Sequence, residues 1–133
     1  MIFGIGTDIV QVARMQAALE RHGERFARRI LAEEEYQQFL HNKQRARFLA
    51  KRFAAKEAAA KALGTGFRHG LSLQHIRVVH EAEGRPCLCL SGKARELSEQ
   101  RHIEASYLSL ADEQDYAIAY VVMTQRSSPS CPA

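Results

Sequence analysis

The run from Phe48 to Gly66, FLAKRFAAKEAAAKALGTG, leaves the chain least freedom. It is the longest stretch of strong helix formers, with alanines set among Lys51, Arg52, Lys56, Glu57 and Lys61. Gly64 follows Leu63, the last periodic residue, where a helix stop belongs. Residues four apart stack on one face, so Phe53, Glu57 and Lys61 share one. Ala50, Ala54, Ala58 and Ala60 surround that face with side chains too short to cover it, so a large ligand or another backbone can approach closely. Leu49, Phe53, Ala60 and Leu63 form an apolar edge that requires burial. Glu57 therefore stands at a border between core and cleft.

Two readings of Glu57 and Lys61 compete. As a solvated i,i+4 ion pair they contribute only about 0.3–0.5 kcal/mol. As a site they offer a carboxylate for a hard cation and a compact ammonium for a phosphate. The helix alone does not choose between them.

The 133 residues suffice for one domain with a modest core, expected over residues 1–125, ahead of a serine- and proline-bearing tail at 126–133 that reads as disordered. No apolar run approaches the length of a membrane span, and the opening MIFGIGTDIV lacks the basic flank and cleavage site of a signal peptide. Of the three cysteines, Cys87 and Cys89 share one face of an expected strand, too close in sequence for a good disulfide, and Cys131 lies in the tail. Reduced thiols and a cytoplasmic location follow. A formal net charge of +4 points to an anionic partner without saying which.

Ile2 to Val10 reads as a buried first strand, with Gly4, Gly6, Asp8 and Val10 on one face and Phe3, Ile5, Thr7 and Ile9 on the other. Two glycines weaken a strand unless something must come close to it. Asp8 is either a cap for the next helix or a site residue. Val12 to His22 is an amphipathic helix. Its Arg14 and Arg21 lie on one stripe, which Arg25 and Arg28 extend if the chain stays helical past Gly23, with Arg29 nearby. Such a face is either plain solvated surface or a dock for something negative. A short helix follows at Ala32 to Leu40, with Glu33, Glu34 and Glu35 suited to its N-terminal dipole. His41 to Arg47 connects to the main helix. Leu71 to His80 and Pro86 to Leu90 read as a hairpin about Glu83-Gly84. Ser91 is positioned to cap a helix from Gly92 to Gln100, and Ile103–Ala111 and Tyr116–Thr124 form a last strand pair.

Two of these segments, G6-T7-D8-I9-V10 and F53-A54-A55-K56-E57-A58-A59-A60-K61, together resemble the paired signatures of the 4′-phosphopantetheinyl transferases. The resemblance runs from Phe3 to about Thr124 and is most specific over Arg47 to Gly66; Gly84 to Pro86 and Ser109 to Tyr116 also fit. The length is that of the short bacterial group, the holo-acyl-carrier-protein synthases of fatty-acid synthesis. The resemblance implies an α+β fold, with an antiparallel sheet packed on a long central helix, assembled as a homotrimer with sites at subunit interfaces. It implies transfer of the 4′-phosphopantetheine arm of coenzyme A to a serine of an acidic apo acyl carrier protein, releasing adenosine 3′,5′-bisphosphate. Asp8 and Glu57 match the Mg²⁺ ligands, which the family is taken to contribute from different chains. Lys61 matches the phosphate-contacting lysine, making Glu57 and Lys61 the catalytic candidates.

These residue types suit the chemistry, because a pyrophosphate-bound Mg²⁺ needs few protein carboxylates. Gly64 and Gly66 would let the backbone approach the nucleotide. Arg45 and Arg52 are candidates for the 3′-phosphate, and Phe48 and Pro86 for packing near adenine, with Phe48 serving equally as a core residue. Arg14, Arg21 and Arg25 are the expected carrier-protein contacts. One departure stands out. Asp112 occupies the place where many short members carry a histidine, so the base is Glu57, a metal-associated water or Asp112. The competing function is a non-enzymatic basic module binding RNA, which the arginines would suit but which lacks an aromatic platform.

Overall fold

The structure, a computed structural model, describes residues 1–126; Cys131 and all of the expected tail except Arg126 lie outside the described residues. The first strand, β1 (Ile2–Gln11), leads into α1 (Val12–His22), α2 (Glu24–Ile30) and α3 (Glu33–Leu40). The long helix α4 (Arg45–Leu63) starts three residues before Phe48 and is followed by a 3₁₀ turn at Leu73–His75. Then come the hairpin β2 (Ile76–His80) and β3 (Pro86–Leu90), the helix α5 (Gly92–Gln100), and the pair β4 (Ile103–Asp112) and β5 (Tyr116–Gln125). One antiparallel sheet has the order β1-β5-β4, and β2 and β3 form a second.

The sheet lies directly on α4. A Cβ on Gly4 or Gly6 would overlap the carbonyl oxygens of Ala62 or Ala58, so the approach that the short side chains permit is made by the backbone of β1. Both sides of the seam are bare: Ala54, Ala58 and Ala62 on the helix, and Ala117 and Ala119 on β5, are fully or almost fully buried. Gly64, with φ of 89°, ends α4 in the left-handed region and donates to Ala60 O and Lys61 O.

The rest of α4 is held by charge as well as by its buried Leu49 and Ala50. Glu35 in the first turn of α3 is buried, not merely placed for the helix dipole. It accepts from Lys56 Nζ at 2.6 Å, from Ala32 N at 2.9 Å and from Val78 N at 3.0 Å, and lies 3.7 Å from Arg52 Nε. One carboxylate thus ties α3, α4 and β2 together.

Three local expectations change. Gly23, at φ 65° and ψ −155°, separates α1 from α2, so the basic stripe crosses two packed helices. Residues 71–75 are not strand, because Ser72 Oγ accepts from Gln74 N and turns the chain before β2. The first strand is buried on one face only: Ile5 and Ile9 are exposed, as are Ile118 opposite Ile9 and Tyr120 opposite Thr7 on β5. Ser91 stands at the N-cap of α5 as expected, yet its hydroxyl makes no capping bond and reaches His75 O instead.

Candidate active site

The close contact between β1 and α4 sets Asp8 beside the helix. Lys61 Nζ donates to Asp8 Oδ1 at 3.2 Å and to Thr7 O at 2.9 Å. Lys61 is therefore bridged to the strand and has no i,i+4 salt bridge with Glu57. Asp8 does not cap α1 either, since the N-cap is Gln11, without a side-chain bond, and Val12 N donates to Asp115 O.

Asp8 and Glu57 line one cavity of about 640 Å³, together with Arg14, Phe26, Arg29 and Phe53. Burial raises the Glu57 pKa first and the Asp8 charge raises it further, with Lys61 opposing both. This corrects the expectation that the two carboxylates come from different chains. A single chain brings them together, because Gly6 allows β1 to press against α4 at Ala58, next to Glu57.

The pair suits a hard divalent cation. Two carboxylates share a partly desolvated space, where the Asp8 charge adds to the rise in the Glu57 pKa, and a lysine ammonium already bonds Asp8. Among the described residues no group of three or more His, Cys, Asp or Glu gathers as a closed metal centre. Asp8 and Glu57 would hold the ion with most positions left for substrate oxygens and water.

The arginines adjoin this cavity. Arg21, Arg25, Phe26 and Arg29 line a neighbouring depression, and Phe26 and Arg29 belong to both. Arg28 turns away, its guanidinium 4.1 Å from the centre of the Tyr36 ring. Arg29 continues the surface instead. The four-residue spacing of Arg21, Arg25 and Arg29 could have revealed this from sequence.

A second, basic cavity of about 280 Å³ lies at the N-terminal half of α4, walled by Arg47, Phe48, Lys51, Arg52 and His80 with the polar Asn42 and Gln44. The Arg52 guanidinium covers one face of Phe48 at 4.5 Å, while Phe48 also packs on Phe39, so Phe48 belongs to both core and cavity. Pro86 stands opposite His80 in the hairpin register and does not itself line the cavity. Arg45 is not brought there: it donates to Leu40 O at 3.0 Å, approaches Glu24 at 3.6 Å and lies over Phe39. Asp112 is held by Arg47 at 3.1 Å and Lys51 at 3.5 Å. Gly66, at φ 59°, lies just beyond the Gly64 cap, with open space where a Cβ would be on either glycine.

Residues 4–121 match the 4′-phosphopantetheinyl transferase superfamily, and they contain both cavities. The chain belongs to that superfamily. Among relatives named holo-[acyl-carrier-protein] synthase, one from Nitrosococcus oceani is 58% identical over 123 residues, spanning 92% of this chain and 80% of the relative. One from Vibrio cholerae serotype O1 is 52% identical over 126 residues, spanning 95% and 100%. The crystal structure of the synthase from Neisseria meningitidis superposes with a TM-score of 0.89 at 42% identity, covering 94% of this chain and 100% of that one. A Bacillus anthracis synthase in complex with CoA (3′,5′-ADP) gives 0.79 at 34% identity, covering 95% and 99%.

For a phosphopantetheinyl transferase, the missed residues are instructive. Phe26, Arg29, Arg47, Lys51 and His80 line the two cavities. Arg47 and Lys51 stand within the most specific stretch of the resemblance, but nothing local distinguishes them from solvated helix charges.

Proposed function

We infer that the chain transfers the 4′-phosphopantetheine group of coenzyme A to a serine of apo acyl carrier protein, as a holo-[acyl-carrier-protein] synthase of fatty-acid biosynthesis. The observation that carries this reading is the meeting of Asp8 and Glu57 at one cavity, with Lys61 bonded to Asp8 and an arginine surface along the border. The serine oxygen forms a bond to the phosphorus bearing the pantetheine arm. The bond from that phosphorus to the bridging oxygen breaks, and adenosine 3′,5′-bisphosphate leaves. Lys61 brings positive charge to the phosphates, with its ammonium held in place by Thr7 O. Glu57, whose burial favours proton binding, is the proposed acceptor of the serine proton. Asp112, engaged by Arg47 and Lys51, does not line this cavity. Mg²⁺ bound at Asp8 and Glu57 would supply Lewis-acid stabilisation of the phosphate oxygens.

The nucleotide end of coenzyme A goes to the basic cavity. Arg52 and Phe48 keep their proposed roles, Arg47 and Lys51 join them, and Pro86 supports the wall through its neighbour His80. Arg45 serves there only if it exchanges its present partners. Gly64 and Gly66 leave room for the pyrophosphate beside Lys61. The two cavities have no lining residue in common, and Phe48 and Lys61 are roughly 20 Å apart along the helix. A homotrimer reconciles them by joining one copy's carboxylates to its neighbour's basic cavity. The apolar outer face of the sheet, with Ile5, Ile9, Tyr107, Ile118 and Tyr120 exposed, is surface that such assembly would cover.

The arginine surface is assigned to the acidic carrier protein and not to RNA, because the relatives that match nearly the whole chain are named holo-[acyl-carrier-protein] synthase. No helix among the described residues is long and apolar enough to cross a membrane, and the free thiols of Cys87 and Cys89 accord with a proposed cytoplasmic location. The test is incubation with coenzyme A, Mg²⁺ and apo acyl carrier protein. Mass spectrometry should show the phosphopantetheine adduct on the carrier serine, and an unmodified carrier protein overturns the reading.

A further inference from the structure

The basic cavity contains one group whose charge changes near neutral pH. His80 ends β2 and forms a wall opposite the cations of α4. We propose that His80 couples binding of a phosphomonoester in this cavity to uptake of one proton, so that affinity for the nucleotide depends on pH. The proposal rests on the nucleotide assignment above and adds a residue that the assignment does not need.

The surrounding charges support it. On α4, Arg47 and Lys51 share Asp112, and Arg52 lies against the buried Glu35. In the hairpin, Glu81 next to His80 is paired with Arg85. On the connector the lining residues Asn42 and Gln44 are neutral, with the exposed Lys43 between them. The three lining cations Arg47, Lys51 and Arg52 thus already have acidic neighbours, while the His80 side chain has neither a hydrogen bond nor a salt bridge among the described residues. His80 is exposed at the cavity mouth, and partial desolvation first, then the charges of Arg52 and Lys51, lower its pKa, so the imidazole is neutral at pH 7 without ligand. A dianionic phosphate reverses the local field and favours imidazolium.

The sign is then fixed. The pKa is lowered in the free protein and raised in the complex, so affinity climbs as pH falls through the bound value and levels off below the free one. Within that window the slope approaches tenfold per pH unit for one linked proton.

The probe is adenosine 3′,5′-bisphosphate, titrated calorimetrically between about pH 6.5 and 8 in metal-free buffers of different ionisation enthalpy. Wild-type protein should take up a substantial fraction of one proton and bind several-fold tighter at the acid end. His80→Gln should flatten the slope and abolish the uptake, whereas His102→Gln, in the turn before β4, should retain both. Arg47→Ala with Lys51→Ala should weaken binding at every pH. If that double variant binds as wild type does, the cavity assignment fails. If it weakens binding but wild-type affinity shows no slope, or His80→Gln keeps it, the cavity stands and the role of His80 is overturned.

Discussion

The two halves of α4 do opposite work by opposite means. Towards the C-terminus the helix meets β1 with no side chain between them, and what emerges from the seam is acidic, Asp8 and Glu57 with Lys61. Towards the N-terminus a buried carboxylate, Glu35, holds Lys56 and Arg52, and what emerges is a basic cavity. Steric closeness positions the proposed reacting end, with β1 backbone against α4 backbone. Charge pairing ties down the other end, where Arg47, Lys51 and Arg52, each beside a carboxylate, are the cations proposed to meet phosphate. The contrast shows how one helix presents two ligand chemistries without the two neutralising each other.

The hardest blow to the comparison falls on the acidic end. Asp8→Ala and Glu57→Ala should each lower transfer at least about 1000-fold, equivalent to ~4 kcal/mol of barrier, with little change in melting temperature. Wild-type turnover in either would remove it from the metal site. Mixing these two variants should restore nothing, because one chain supplies both carboxylates. Mixing Asp8→Ala with an Arg47→Ala/Lys51→Ala chain should instead recover roughly a quarter of wild-type turnover after random subunit exchange, if two copies share each site. Recovery in the first mixture, or none in the second, inverts the proposed division.

The next effect belongs to the charge-held half. Glu35→Ala strands Lys56, whose ammonium is fully buried, and should cost about 3–5 kcal/mol in chemical denaturation. A loss under about 1 kcal/mol would mean that water replaces the carboxylate easily. At the seam, Gly6→Ala inserts a methyl group against a helix carbonyl and should cost up to about 3 kcal/mol. It should also push Asp8 away from Glu57, so transfer should fall further than stability does. Full activity in a destabilised Gly6→Ala protein would show that the seam does not position the carboxylates.

The smallest effect tests the surface beyond the acidic end. Reversing Arg14 and Arg21 to Glu should raise the KM for carrier protein roughly tenfold and make its salt dependence shallower. The KM for coenzyme A should hardly move, because its phosphates are assigned elsewhere. Steady-state kinetics with each substrate varied separately decides this, and a change confined to coenzyme A would relocate the dock.

What the sequence determined by itself is local. The alanine-rich run with Gly64 after it dictates α4 and its left-handed stop, because propensity and capping act within a few residues. The Glu83-Gly84 turn specifies the β2–β3 hairpin for the same reason, and Gly84 adopts φ of 95°. Asp8, Glu57 and Lys61 were legible as candidates because their types and contexts match a known signature. Tertiary structure decided their relations. Lys61 pairs with Asp8 across 53 residues of sequence and not with Glu57 one turn away, and Asp112 meets Arg47 across 65. Glu35 proves to be buried because β2 closes over it, with Val78 N donating to its carboxylate. Such choices depend on which elements pack together, and periodicity carries no record of that. The glycines of β1 show the boundary best: the sequence announces that something must come close, and only the packed helix says what.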